Sequence, residues 1–80
     1  MDTKKYIELG RKVYAYVKAL NEKGEYPTVR ELASKYRMTN DAVITLIEDN
    51  DDMDYNIGWR VGANVYVDHY EGNYTIEVTA

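Results

Sequence analysis

Apolar residues recur with a helical period as far as about Asp52 and with a strand period beyond it. That one switch limits the chain to a helical half followed by a β half. In the segment 3–23, Tyr6, Leu9, Val13, Tyr16, Val17 and Leu20 fall on one side of a helical wheel, with Gly10 among them. Ile7 and Tyr14 widen that side to about half the circumference. Lys5, Glu8, Arg11, Lys12 and Lys18 occupy the other half, and Gly24 follows as the expected C-terminal cap.

A second helix is predicted over 29–36. Thr28-Val29-Arg30-Glu31 reads as a capping box, in which the Thr28 hydroxyl accepts from the Glu31 amide and the Glu31 carboxylate reaches back to the Thr28 amide. Leu32, Ala33 and Tyr36 form its inward side. Thr39 is the expected N-cap of a third helix over 40–50. There Ala42, Val43, Leu46 and Ile47 turn inward, Asp41, Thr45, Glu48 and Asp49 turn outward, and Ile44 lies at the margin.

Past Asp52, three β-type runs are predicted at 55–61, 65–70 and 74–79, separated by turn residues at 62–64 and 71–73. In the last hairpin, Val65 and Val67 share a face with Ile76 and Val78 for either two-residue turn. Eighty residues suit one domain, 1–80, and a chain of this size buries only about 60–65% of its unfolded surface. With no apolar run long enough to span a membrane and no basic-then-apolar stretch at the start, neither a membrane span nor a secretory signal is expected. Zero cysteines exclude disulfides and thiolate metal sites and fit a cytoplasmic protein. Nine tyrosines without a phenylalanine imply rings at the edge of the core, where each hydroxyl can find a partner or water.

The charge is unevenly spread. Residues 1–38 carry nine Lys/Arg against five Asp/Glu, a balance of +4, whereas residues 39–80 carry Arg60 alone against nine acids, a balance of −8. Such polarity bears on partners rather than on fold.

An α+β chain of three helices followed by a small antiparallel hairpin or sheet has the order of a winged helix-turn-helix, in which the third helix and the wing face the nucleic acid. Tyr26-Pro27-Thr28-Val29-Arg30-Glu31-Leu32-Ala33 resembles the start of the helix-turn-helix in LexA-type and GntR-type bacterial regulators, and the likeness covers roughly residues 5–50. It implies a winged-helix fold and binding to double-stranded DNA. Two positions depart from the pattern. Those families usually carry a glycine in the turn between the second and third helices, where this chain has Arg37, so either the turn keeps its usual shape with a positive φ at Arg37 or it differs in geometry. Their recognition helices present Ser, Thr, Asn and Arg outward, where this one presents Asp41, Glu48 and Asp49.

A carboxylate held about 6 Å from a phosphate is repelled by roughly 1–3 kcal/mol at effective dielectrics from 80 down to 20. The residues expected to touch DNA are therefore the front of the third helix (Thr39, Asn40 and Thr45), the nearby cations Arg30, Lys35 and Arg37, and Arg60 in the wing. The alternative expectation is a winged-helix interaction module or inhibitor whose acidic face, Asp41, Glu48, Asp49, Asp51 and Asp52, docks on a basic protein surface. The sequence leaves a homodimer open.

No metal, cofactor or catalytic role is expected. Asp52, Asp54 and Asn56 match positions 1, 3 and 5 of a calcium loop, but the glycine falls one place late at Gly58 and the last position is Ala63 instead of Glu. Ser34 and His69 have no evident third group for nucleophilic chemistry. His69 reads as a strand-end residue. Trp59 reads as a plug beneath the wing, with a binding role beside Arg60 as the other reading.

Overall fold

A computed structural model of the chain describes residues 2–56 and 72–79. It contains α1 (Thr3–Glu22), α2 (Val29–Tyr36), α3 (Asn40–Glu48), β1 (Met53–Asn56) and β2 (Thr75–Val78). Three helices then lead into a two-stranded antiparallel sheet, an α+β layout consistent with a winged helix. The expected strand residues 57–61 and 65–70, together with Trp59, Arg60 and His69, lie outside the described residues.

Each helix starts at a side chain that accepts an otherwise unpaired amide. Asp2 accepts from the Lys5 amide at 3.0 Å, Thr28 from Glu31 at 3.1 Å, and Thr39 from Ala42 at 3.1 Å. The capping box closes differently from its expected form, because the Glu31 carboxylate accepts from the Thr28 hydroxyl at 3.2 Å. The backbone there is engaged with β2: Val29 donates its amide to Tyr74 and Pro27 accepts from Ile76.

α1 ends one residue earlier than expected, and its stop is a Schellman motif. Gly24 has φ +79°, its amide donates to Asn21, and the Glu25 amide donates to Leu20. α3 also stops short of the expected Asn50. Asp49 is its cap, and the Asn50 side-chain amide folds back to donate to the Leu46 carbonyl at 2.8 Å. That side chain fits because α1 has a glycine opposite: a Cβ on Gly10 would lie 3.2 Å from Asn50 Nδ2.

The core forms where the helices meet β2. Val13 and Val17 come from α1, Val29, Leu32 and Ala33 from α2, Val43, Ile44, Leu46 and Ile47 from α3, and Met53 and Ile76 from the sheet. At about 1.5–3 kcal/mol per fully buried aliphatic side chain, each of these residues is a large share of the net stability of so small a domain. Three expectations are corrected here. Ile44 is buried instead of marginal, and Met53 is a core residue opening β1 two positions before the expected strand. Ile7 is 50% exposed. It lies about 120° around the helix from Val13, beyond the stripe that meets the other elements.

Met53 pairs with Val78 and Tyr55 with Ile76, so alternate residues of both strands face the helices. The opposite edge of β2 is also covered. An isolated bridge joins Thr28 to Thr75, and beyond it the Asn21 side chain takes the strand's remaining groups. Asn21 Oδ1 accepts from the Val78 amide at 2.8 Å, while Nδ2 donates to the Glu25 carbonyl at 3.0 Å and the Ile76 carbonyl at 3.4 Å. One side chain thus ties the end of α1 to the sheet.

Candidate nucleic-acid interface

The turn between α2 and α3 is held by Arg37 in the left-handed region, with φ 55° and ψ 49°. This is the conformation expected if the turn keeps its usual shape. The amides of Arg37 and Met38 both donate to the Ala33 carbonyl, so the backbone reverses within two residues and Thr39 can cap α3. A side chain in this region costs about 1–2 kcal/mol relative to a right-handed position.

Three elements converge at the front of α3. Arg30 donates from its guanidinium to Asn73 Oδ1 at 3.1 Å, and its backbone amide donates to the Gly72 carbonyl at 3.0 Å. Gly72 has φ +76°, and a Cβ there would lie 3.0 Å from both the Arg30 amide nitrogen and Asn40 Nδ2. Only glycine permits that approach. Arg30 from α2, Asn40 from α3 and Asn73 from the segment entering β2 therefore occupy one small region, with Thr39 at its margin.

Other expected contact residues lie elsewhere. The Lys35 ammonium sits 4.4 Å from the centroid of the Tyr16 ring and 5.7 Å from that of Tyr36, on the α1 side of α2. Arg37 lines a groove with Lys5 and Lys12 of α1. Thr45 is exposed but shares its stripe with Asp41 and Glu48, about 140° around α3 from Asn40. Arg60 lies outside the described residues. The cations expected to act together thus divide into Arg30 at the front of α3 and Lys35 and Arg37 nearer to α1.

The acids of α3 and the following turn are exposed: Asp41, Glu48, Asp49, Asp51 and Asp52. Between residues 39 and 56 the chain has no Lys or Arg to neutralise them. Asp49 accepts from the Tyr6 hydroxyl at 2.6 Å, joining the start of α1 to the end of α3. This bond to a carboxylate is the largest cause pushing the Tyr6 phenol up to about 12, followed by burial and the Asp49 charge. The carbonyls of Asp51 and Asp52 accept from the Thr79 hydroxyl and amide, which holds the acidic turn by its backbone. Tyr55 is also pushed up to about 12, first by burial and then by the charges of Glu48 and Asp54. Among the described residues, no group of three or more His, Cys, Asp or Glu side chains is arranged to hold a metal ion.

The sequence did not single out Asn21, Tyr6 or Asn73 for these contacts. Gly72-Asn73 was legible as a turn, but its return to the N-terminus of α2 depends on a contact more than forty positions away in the chain. No protein-family model, curated protein or solved structure matches this chain.

Proposed function

We propose that this chain is a small DNA-binding protein of the transcription-regulator kind, built on a winged helix-turn-helix like those of LexA-type and GntR-type regulators. The observation that carries this reading is the convergence of Arg30, Asn40 and Asn73 beside the Thr39-capped start of α3. A cation, two amides and the positive end of a helix in one place suit a phosphate and an adjacent base edge.

The geometry also supports a way around the acids. α3 has nine residues, so Glu48 lies about 12 Å along the axis from Asn40. Two unit charges about 12 Å apart in water interact by only about 0.3 kcal/mol. Entry by the N-terminal end therefore leaves Glu48 and Asp49 a minor cost, and Asp41 can accept from a cytosine amino group. Lys35, Arg37 and Thr45, which lie elsewhere, become secondary candidates, as does Arg60, outside the described residues.

Titrating a fluorescent mixed-sequence duplex at about 50 and 200 mM salt tests the reading. Affinity is expected to fall as salt rises and on Arg30→Ala, with little change for Lys35→Ala, and to rise for Glu48→Lys. No binding at the lower salt refutes it.

The exposed acids of α3 and its following turn, with no cation between residues 39 and 56, favour a second reading. In it, Asp41, Glu48, Asp49, Asp51 and Asp52 dock on a basic protein surface and duplex DNA is not bound. A folded Asp41→Lys/Glu48→Lys variant that retained every captured partner would eliminate it.

A further inference from the structure

A groove of about 420 Å³ runs between the first half of α1 and the α2–α3 turn. Its floor is apolar, formed by Leu9, Tyr36 and Met38, all of them partly buried against the core. Its rim is basic: Lys5, Lys12 and Arg37 line it against the single carboxylate of Glu8. We propose that this groove is a docking site for an acidic peptide segment of a partner protein that inserts one large apolar side chain. The proposal does not rest on the DNA reading: of the residues named there, the groove shares only Arg37, a secondary candidate.

The arrangement follows from helix spacing. Lys5, Glu8, Leu9 and Lys12 stand at positions i, i+3, i+4 and i+7, so one face of α1 presents a cation on either side of an apolar centre. Lys5 and Lys12 are about 10 Å apart along the axis, the reach of about three extended residues. Across the groove, Arg37 sits at the residue whose left-handed backbone makes the turn. Tyr36 is held in place before any ligand arrives. Its ring meets Tyr16 edge-on at 6.2 Å, and Lys35 lies 5.7 Å from its centroid. A preformed apolar floor with few convergent charges is the usual form of a ligand groove, for which about 300–1,000 Å³ is common.

Charge complementarity selects the occupant's acids, and the floor selects its apolar anchor. A DNA backbone would engage the cations and leave Leu9, Tyr36 and Met38 without a partner. Among the described residues of a second copy, the acidic segment at 48–54 holds Met53, which is 3% exposed and belongs to the core, and the exposed Tyr26 has an acid beside it on one side only, Glu25. The fitting ligand is therefore a peptide of another protein, with Asp and Glu flanking a Leu or Trp.

The test uses the full chain, nitrogen-15 labelled, and three short probe peptides. The first has a Leu-Trp pair flanked on both sides by Asp and Glu, the second replaces the pair with Ser-Ser, and the third replaces the acids with Lys. The first is expected to bind and to shift the amides of Leu9, Lys12 and Tyr36 to Met38. The Ser-Ser peptide is expected to bind about tenfold more weakly and the Lys peptide not at all. Lys12→Glu, a change at an exposed position, should weaken the first peptide about tenfold while leaving the rest of the amide spectrum unchanged. The proposal is overturned if the first peptide shifts nothing or shifts amides elsewhere, or if the Ser-Ser peptide binds equally well. It is also overturned if duplex DNA displaces the peptide from these residues, or if the same amides shift with protein concentration alone, which would assign the groove to a second copy.

Discussion

Replacing Arg37 by glycine should stabilise the protein while removing a charge from its surface. Arg37 has φ 55° and ψ 49° and is the non-glycine residue with positive φ among those described. A Cβ in this region costs about 1–2 kcal/mol. Glycine removes that cost but loses more backbone freedom on folding, by about 0.5–1 kcal/mol. The net expectation is a gain centred at about 0.75 kcal/mol, within a range of about 0–1.5 kcal/mol. For a domain of this size, at about 4–8 °C per kcal/mol, the central value is a rise in melting temperature of roughly 3–6 °C. Arg37→Ala keeps the Cβ and should show no comparable gain, and Arg37→Asn should fall between them because asparagine tolerates the left-handed region. Thermal melts followed by circular dichroism, with urea titrations to check that the slope is unchanged, measure all three. If glycine and alanine gave the same stability, or if glycine lowered it, the strain assigned to this turn would be wrong. The glycine variant should also bind the acidic probe peptide more weakly. A protein made more stable and less adhesive by one substitution would account for an arginine at a position that suits glycine.

Asn21→Ala should cost about 1–3 kcal/mol in urea unfolding, because it leaves the Val78 amide and the Glu25 carbonyl without their side-chain partner. A loss below about 0.5 kcal/mol, the range of ordinary surface changes, would show that water replaces the clamp at no cost. Tyr6 has its folded-state phenol raised to about 12 from an ordinary value near 10, so its neutral form is the one stabilised by folding. That contribution is complete below about pH 10 and is lost as pH rises through about 12. Phenolate absorbance should accordingly include a late-titrating fraction that shrinks in Tyr6→Phe, leaving Tyr55 as a second late group; if the variant instead lost absorbance from the ordinary fraction titrating at about pH 10, the Tyr6–Asp49 bond would be refuted.

The helical half was largely legible because its signals are local. The hydroxyls of Thr28 and Thr39 each accept an amide three residues ahead, and Gly24 ends α1 within one turn, so neighbouring residues contain the needed information. Even the positive φ of Arg37 could be anticipated, from the glycine that a familiar turn would place there. The candidate site was legible only in part. Of the expected contact residues, the structure brings Arg30 and Asn40 together, whereas Lys35 and Arg37, neighbours of Arg30 in the chain, lie toward Tyr16 and Lys5. Asp49 was visible as one more acid, with no sign that its carboxylate would be tied to Tyr6.

What the sequence determined by itself was the switch from helical to strand periodicity, the capped starts of the helices and the unequal distribution of charge. These depend on side-chain type and on spacing within a few residues. Tertiary structure alone decided that Asn21 closes the edge of β2, that Gly72 brings Arg30 beside Asn40, and that Ile44 and Met53 enter the core while Ile7 does not. Each of those outcomes requires groups from distant parts of the chain to meet at atomic distances, and packing selects them only after the helices and strands have formed.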